Sequence, residues 1–123
     1  MNYNFDLLEK SKKTLKYISK ELINFPKQEF VLKNYIDWIL YENIELIIGY
    51  LIENNYRIKE KFLKTLLVKI GMLDFYILMA YEKKYISKKK YLIIGSFLLE
   101  EKKMVYGIVR YEKSKLWWYI RYW

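Results

Sequence analysis

Eighteen residues, Ile36–Glu53 (IDWILYENIELIIGYLIE), leave the chain few ways to fold. Apolar side chains recur at Ile36, Leu40, Ile44, Ile47, Ile48 and Leu51. Steps of four, four, three, one and three keep one face of a helix apolar. Asp37, Glu42, Glu45 and Glu53 fall mostly between those positions. Such a helix is not stable alone and must bury its stripe against other apolar faces.

Three further segments offer those faces. A first helix is expected over 6–24, with Asp6 as its N-cap and Leu8, Leu15, Ile18 and Leu22 on one side. Lys12, Lys13, Lys16 and Lys20 occupy its polar side. Pro26, the only proline, disfavours a helical residue before it and suits the first turn of a second helix over 27–54. Asn54-Asn55 then supplies a left-handed C-cap. A third helix over 59–82 carries Phe62, Leu66, Ile70, Leu73 and Ile77. Ser87 caps a fourth over 87–114, with Tyr91, Ile94, Leu98, Val105 and Ile108 as apolar positions. Gly49, Gly71, Gly95 and Gly107 fall inside these helices and read as close helix–helix contacts. Nothing alternates like a strand, and no segment repeats. The expectation is all-α: one domain over 1–123, folded as an antiparallel up-down-up-down four-helix bundle, followed by an aromatic and basic tail over 115–123.

Composition removes most chemistry. The chain has neither cysteine nor histidine, so disulfides, a cysteine nucleophile and zinc sites of the usual ligands are excluded. A di-iron bundle needs Glu-x-x-His pairs, which are missing. Glu42 with Glu45, and Glu100 with Glu101, do not assemble into a catalytic pair. Ser11, Ser19, Ser87, Ser96 and Ser114 have no partner base other than lysine. No Gly-rich phosphate loop is present. The expectation is no enzyme, no cofactor and no metal. Apolar runs fall short of the ~18–20 residues that span a bilayer, and the first ten residues do not resemble a signal peptide. A cytoplasmic protein is therefore expected, with no membrane partner.

Charge is the remaining signal. Of the net +9, residues 1–80 hold +2 and residues 81–123 hold +7. Such asymmetry points to a polyanion. The candidate nucleic-acid-binding residues are Lys83, Lys84, Lys88, Lys89, Lys90, Lys102, Lys103, Arg110 and Lys113. The closing KLWWYIRYW alternates aromatics with cations, and Trp117, Trp118 and Trp123 are candidate contacts to a partner or a second copy.

Five short motifs in order resemble the accessory variability determinant (Avd) proteins of diversity-generating retroelements. These belong to a wider four-helix superfamily that includes proteins encoded in intervening sequences of 23S ribosomal RNA genes. The similarity spans about Phe25 to Arg110. It opens with Phe25-Pro26-Lys27-Gln28-Glu29-Phe30-Val31-Leu32, one residue shorter than the usual Phe-Pro-Lys…aromatic-Val-Leu spacing, and continues with Ile44-Glu45-Leu46-Ile47-Ile48. Leu73–Ala80 is similar to the end of the family's third helix, and Tyr85–Tyr91 to its connection into the fourth. Glu100–Ile108 echoes its closing Glu-Ile-Gly-Lys-Met-Val-Gly-Gly-Trp. The chain departs from the pattern at Asp74 and Leu78, where arginines are frequent, at Lys102, and at Tyr106 and Ile108.

The resemblance implies a non-catalytic subunit in a ring-like homopentamer. It would bind a reverse transcriptase and its template RNA, or a DNA/RNA hybrid, in support of mutagenic cDNA synthesis. Two other readings remain: an oligomeric interaction bundle of the ribosomal intervening-sequence type with no nucleic-acid role, and a protein docking on anionic membrane through its Trp-rich tail.

Overall fold

The computed structural model describes residues 3–122, with side chains for 5–117 and Arg121. Four helices carry the chain: α1 (Tyr3–Leu22), α2 (Phe30–Ile52), α3 (Tyr56–Glu82) and α4 (Lys88–Tyr122). A 3-10 turn, Lys27–Glu29, leads into α2. There is no strand among the described residues, so the all-α, four-helix reading holds. None of these helices is long and apolar enough to cross a membrane.

The buried positions repeat at alternating steps of three and four. α4 buries Ile94, Leu98, Glu101, Val105, Ile108 and Glu112, and α3 buries Leu63, Leu66, Ile70, Leu73, Ile77 and Ala80. α1 contributes Leu7, Ser11, Thr14, Ile18 and Leu22. A mean step of 3.5 aims one narrow row of each helix at the centre, as in knobs-into-holes bundles. α1 and α3 each pack against both α2 and α4. Partners pair along those interfaces in opposite numerical order. Lys10 meets Glu100 while Glu21 meets Lys90. Glu42 meets Lys69, and Gly49 lies against Phe62. Lys59 meets Glu112, and Asp74 meets Lys102.

The structure corrects several details. In α2 the buried row is Leu32, Ile36, Ile39, Leu40, Asn43, Ile47 and Tyr50. Ile48 is exposed, and Ile44 and Leu51 are only half-buried. α2 is apolar on nearly every side, so apolar spacing alone did not single out the inward face. Leu8, Leu15, Phe62 and Tyr91 likewise sit at the edge of the core. Asp6 lies inside α1, which already begins at Tyr3. α2 stops at Ile52, and its C-cap Glu53 is extended rather than left-handed. Asn55 serves the next helix instead, its side chain accepting from the Arg57 and Ile58 amides. The left-handed residue is Lys84 (φ 66°), closing α3 in a Schellman arrangement with Tyr85 N–H donating to Ala80 and Lys84 N–H to Tyr81. Residues 115–122 are not a separate tail: they continue α4.

Only one glycine marks a tight contact. A Cβ on Gly49 would stand 2.9 Å from the Phe62 ring, whereas Gly71 and Gly95 have open space. Gly49→Ala should therefore cost about 1–3 kcal/mol by overpacking. Gly71→Ala should stabilise by about 0.5–1 kcal/mol through helix propensity. Thermal and urea unfolding of the two variants checks both signs.

The core also holds a carboxyl. Glu101 is 1% exposed and accepts from Ser11 Oγ at 2.6 Å and Thr14 Oγ1 at 2.7 Å. Burial raises its pKa, against the lowering effect of the two hydroxyls and of Lys10. The folded protein thus holds this proton more tightly than the unfolded chain, whose Glu titrates near ~4.3. Stability from this group is highest below that value and falls as pH rises towards the raised folded pKa. Glu101→Gln should flatten that pH dependence and match or exceed the parent at neutral pH. Glu101→Ala should lose about 2–3 kcal/mol by opening a cavity and leaving the buried Ser11 hydroxyl without its acceptor, while Thr14 keeps its bond to the Lys10 carbonyl. Urea unfolding between acid and neutral pH measures each.

Candidate nucleic-acid interface

The nine cations singled out from the sequence divide into two groups. Three are engaged within the fold. Lys83 pairs with Glu29 at 2.9 Å, Lys90 with Glu21 at 2.9 Å and Lys102 with Asp74 at 2.7 Å. The other six, Lys84, Lys88, Lys89, Lys103, Arg110 and Lys113, are exposed and form no ion pair among the described residues.

The Glu29 pair builds a corner. Lys83 Nζ and Tyr85 Oη both donate to Glu29 Oε1, at 2.9 and 2.8 Å. These bonds, Lys83 first and Tyr85 second, lower the Glu29 pKa, and the same contact with Glu29 raises those of Lys83 and Tyr85. Phe25 packs on Tyr85 with ring centroids 5.3 Å apart. The Phe25-Pro26-Lys27 segment and the α3–α4 connection therefore meet at one end of the molecule. Lys84, Lys88 and Lys89 project there. Ser87 Oγ accepts the Lys90 amide at 3.2 Å and so caps α4, as expected from the sequence.

From that corner the free cations run along α4. Lys88 and Lys113 are roughly 37 Å apart at 1.5 Å per residue, so they form a band rather than a single site. The gap between Lys89 and Lys103 is filled from α1. Lys12, Lys13, Lys16 and Lys20 are exposed on that helix, whose residue 21 pairs with residue 90 and residue 10 with residue 100. Glu100 marks where the two rows meet. Its pKa is lowered by Lys10 first, and also by Lys103 and Lys13. These α1 lysines were visible as a polar helix face, but only the pairing of α1 with α4 joins them to the basic C-terminal third.

Two departures from the Avd pattern turn out to be partners: Asp74 stands where that family often has arginine, Lys102 where it has glycine, and the two form an ion pair. Trp117 is exposed. The side chain of Trp118, and Trp123 altogether, lie outside the described residues.

No family model matches the chain, and no curated protein matches it. Among solved structures, it is similar to a protein of unknown function from the S23 ribosomal protein family of Bacteroides thetaiotaomicron. The TM-score is 0.79 at 14% identity, covering 89% of this chain and 99% of that one. At that identity the likeness establishes a shared four-helix fold.

Neighbouring lysines give a direct test of the band. Lys103→Gln removes a free cation, whereas Lys102→Gln removes one held by Asp74. If the band binds RNA, Lys103→Gln should reduce the slope of log K against log salt by about 1, and Lys102→Gln should leave it nearly unchanged. Filter binding from 50 to 200 mM salt separates them.

Proposed function

We propose that this protein is a non-catalytic accessory subunit of the Avd kind. It binds the template RNA or DNA/RNA hybrid of a diversity-generating retroelement, together with the element's reverse transcriptase, and supports mutagenic cDNA synthesis in the cytoplasm. The observation that carries the reading is the band of exposed cations along α4 and α1, of which Lys12 alone is held in an ion pair, with Glu9, among the described residues. A row of Lys and Arg more than 30 Å long matches the repeating charge of a nucleic-acid backbone better than it matches a small ligand. The opposed numbering across the α1/α4, α2/α3 and α3/α4 pairs supports the antiparallel up-down-up-down arrangement that the resemblance implies. The S23-type fold supports the superfamily. The reverse transcriptase, the ring and its five subunits enter from the resemblance alone.

A second reading is favoured by a different surface. α2 exposes Tyr35, Trp38 and Tyr41 next to acidic residues, a composition suited to protein contact. On that reading the chain is an interaction bundle of the ribosomal intervening-sequence type, and its basic band is a solvated face.

A tagged pull-down from the native host, with and without nuclease and across a salt series, decides between them. The accessory role requires a reverse transcriptase and one defined RNA, with the RNA lost as salt rises. An oligomer recovered with neither would establish the interaction bundle instead.

A further inference from the structure

α4 is 35 residues long, against 20 to 27 for the other helices. Its partners end before it does. The pairing of residue 10 with 100 places the start of α1 level with about residue 107–109 of α4. The pairing of residue 59 with 112 places the start of α3 level with about residue 115. Beyond that point α4 continues through Tyr122, past the ends of the other described helices. Lys113, Trp117 and Arg121 follow one another at i, i+4 and are all exposed, Trp117 by 72%. This row places one aromatic between two cations along roughly 12 Å. A large apolar surface held out on a helix is a cost to a solitary chain.

The opposite side of the molecule carries the complement. Asn34, Trp38, Tyr41 and Glu45 form an exposed row on α2, with Trp38 exposed by 69%. Trp38 stands between two clefts of about 420 and 490 Å³, one floored by Ile39 and Met72, the other edged by Asp37 and Glu45. Neither Asp37 nor Glu45 has an ion-pair partner among the described residues. These acids repel a polyanion and attract a cationic helix.

We propose that the projecting end of α4 of one copy seats its Lys113–Trp117–Arg121 row on the Trp38–Tyr41 face of α2 in a second copy. The chain's own groove is out of reach. Tyr50 of α2 is bonded to Glu112 of α4, which places Trp38 level with about residue 100. Trp117 therefore lies roughly 25 Å further along the axis and leads away from the groove. The contact joins two different surfaces, so it is head-to-tail and propagates into a ring or an open chain. It takes Lys113 from the end of the α1/α4 band and leaves the band's other cations uncovered. The inference specifies the contact behind the assembly proposed above and rests on that part of the reading.

The test uses full-length chains in multi-angle light scattering and sedimentation velocity at tens of micromolar. The parent should be oligomeric. Removing Leu116–Trp123, or the single change Trp117→Glu, should give a folded chain of monomer mass that still carries an intact groove. Trp38→Lys should also be monomeric, with an intact α4 end. In each variant the dissociation constant should rise at least about thirtyfold, the loss expected on removing a central tryptophan. Mixing Trp117→Glu with Trp38→Lys should restore one contact and produce a 1:1 dimer, which stops there. Circular dichroism confirms that each variant is folded. A parent oligomer that survives both changes at the α4 end leaves the assembly standing and overturns this contact. A mixture that stays monomeric also overturns it, and points to another surface of the second copy or to a different protein on the groove. A monomeric parent overturns both the contact and the assembly, while RNA binding by the same samples reports separately on the nucleic-acid reading.

Discussion

Each helix has one narrow row to bury, set by the 3.5-residue step, and everything else about the molecule follows from that restriction. Leu7, Ile36, Ile70 and Ile94, one from each helix, are fully buried, and each such side chain contributes about 1.5–3 kcal/mol when taken out of water. Rows this narrow leave more than half of each helix surface facing outward. In a chain that is 54% apolar, some apolar side chains must then lie outside the core. They do not scatter evenly. α2 carries Phe30, Val31, Tyr35, Trp38 and Tyr41 on its outer side, the outer side of α1 carries lysine, and that of α4 mixes lysine with Leu92, Leu99, Tyr106 and Tyr111.

The polar members of the rows hold the helices in register. Apolar contact alone tolerates sliding of one helix along another by a heptad. The Ser11–Thr14–Glu101 cluster does not, because a shift would strand a buried carboxyl without its two donors. Tyr50 Oη donates to Glu112 at 2.6 Å across the centre near the other end, with Lys59 3.6 Å from the same oxygen. Between these two levels Asn43 is buried with its Oδ1 lacking a hydrogen-bond partner among the described residues. A buried Asn costs stability and specifies pairing in coiled coils, and its place in the α2 row is the same.

The four helices were legible because their apolar residues recur with helical spacing and because Pro26, Asn54-Asn55 and Lys83–Ser87 punctuate them. The inward face of α3 was legible too, since polar residues such as Lys64, Lys69 and Asp74 separate Leu66, Ile70, Leu73 and Ile77. α2 gave no such contrast. Its inward row includes Asn43 and Tyr50, and its outward side includes Trp38 and Ile48, so hydropathy pointed both ways. Nothing in the sequence marked Glu101 as a core residue, because the two hydroxyls that donate to it lie about 90 positions earlier in the chain. The candidate site was legible as a list of cations but not as a shape. Which lysines are neutralised, and which rows of α1 and α4 adjoin, depend on pairings between residues far apart in sequence.

The separation of the two surfaces bears on how binding and assembly could coexist. If the basic band and the aromatic row shared a helix face, a polyanion and a second subunit would compete for it. Here Trp38 lies on α2, and α1 and α3 stand between α2 and the α4 cations. Acids on the α2 side, Asp37 and Glu45, bias a polyanion away from it, and the lysines of α1 and α4 bias a second basic surface away from the band. Each subunit added through α2 would then bring another band, free except for Lys113, and linked bands raise the affinity for a long polyanion more steeply than the charge of one subunit would. The ion pair of Asp74 with Lys102 fits the same division. It removes one cation from the count while tying α3 to α4, so the helix that bears the band is fixed against its neighbour by the charge it gives up.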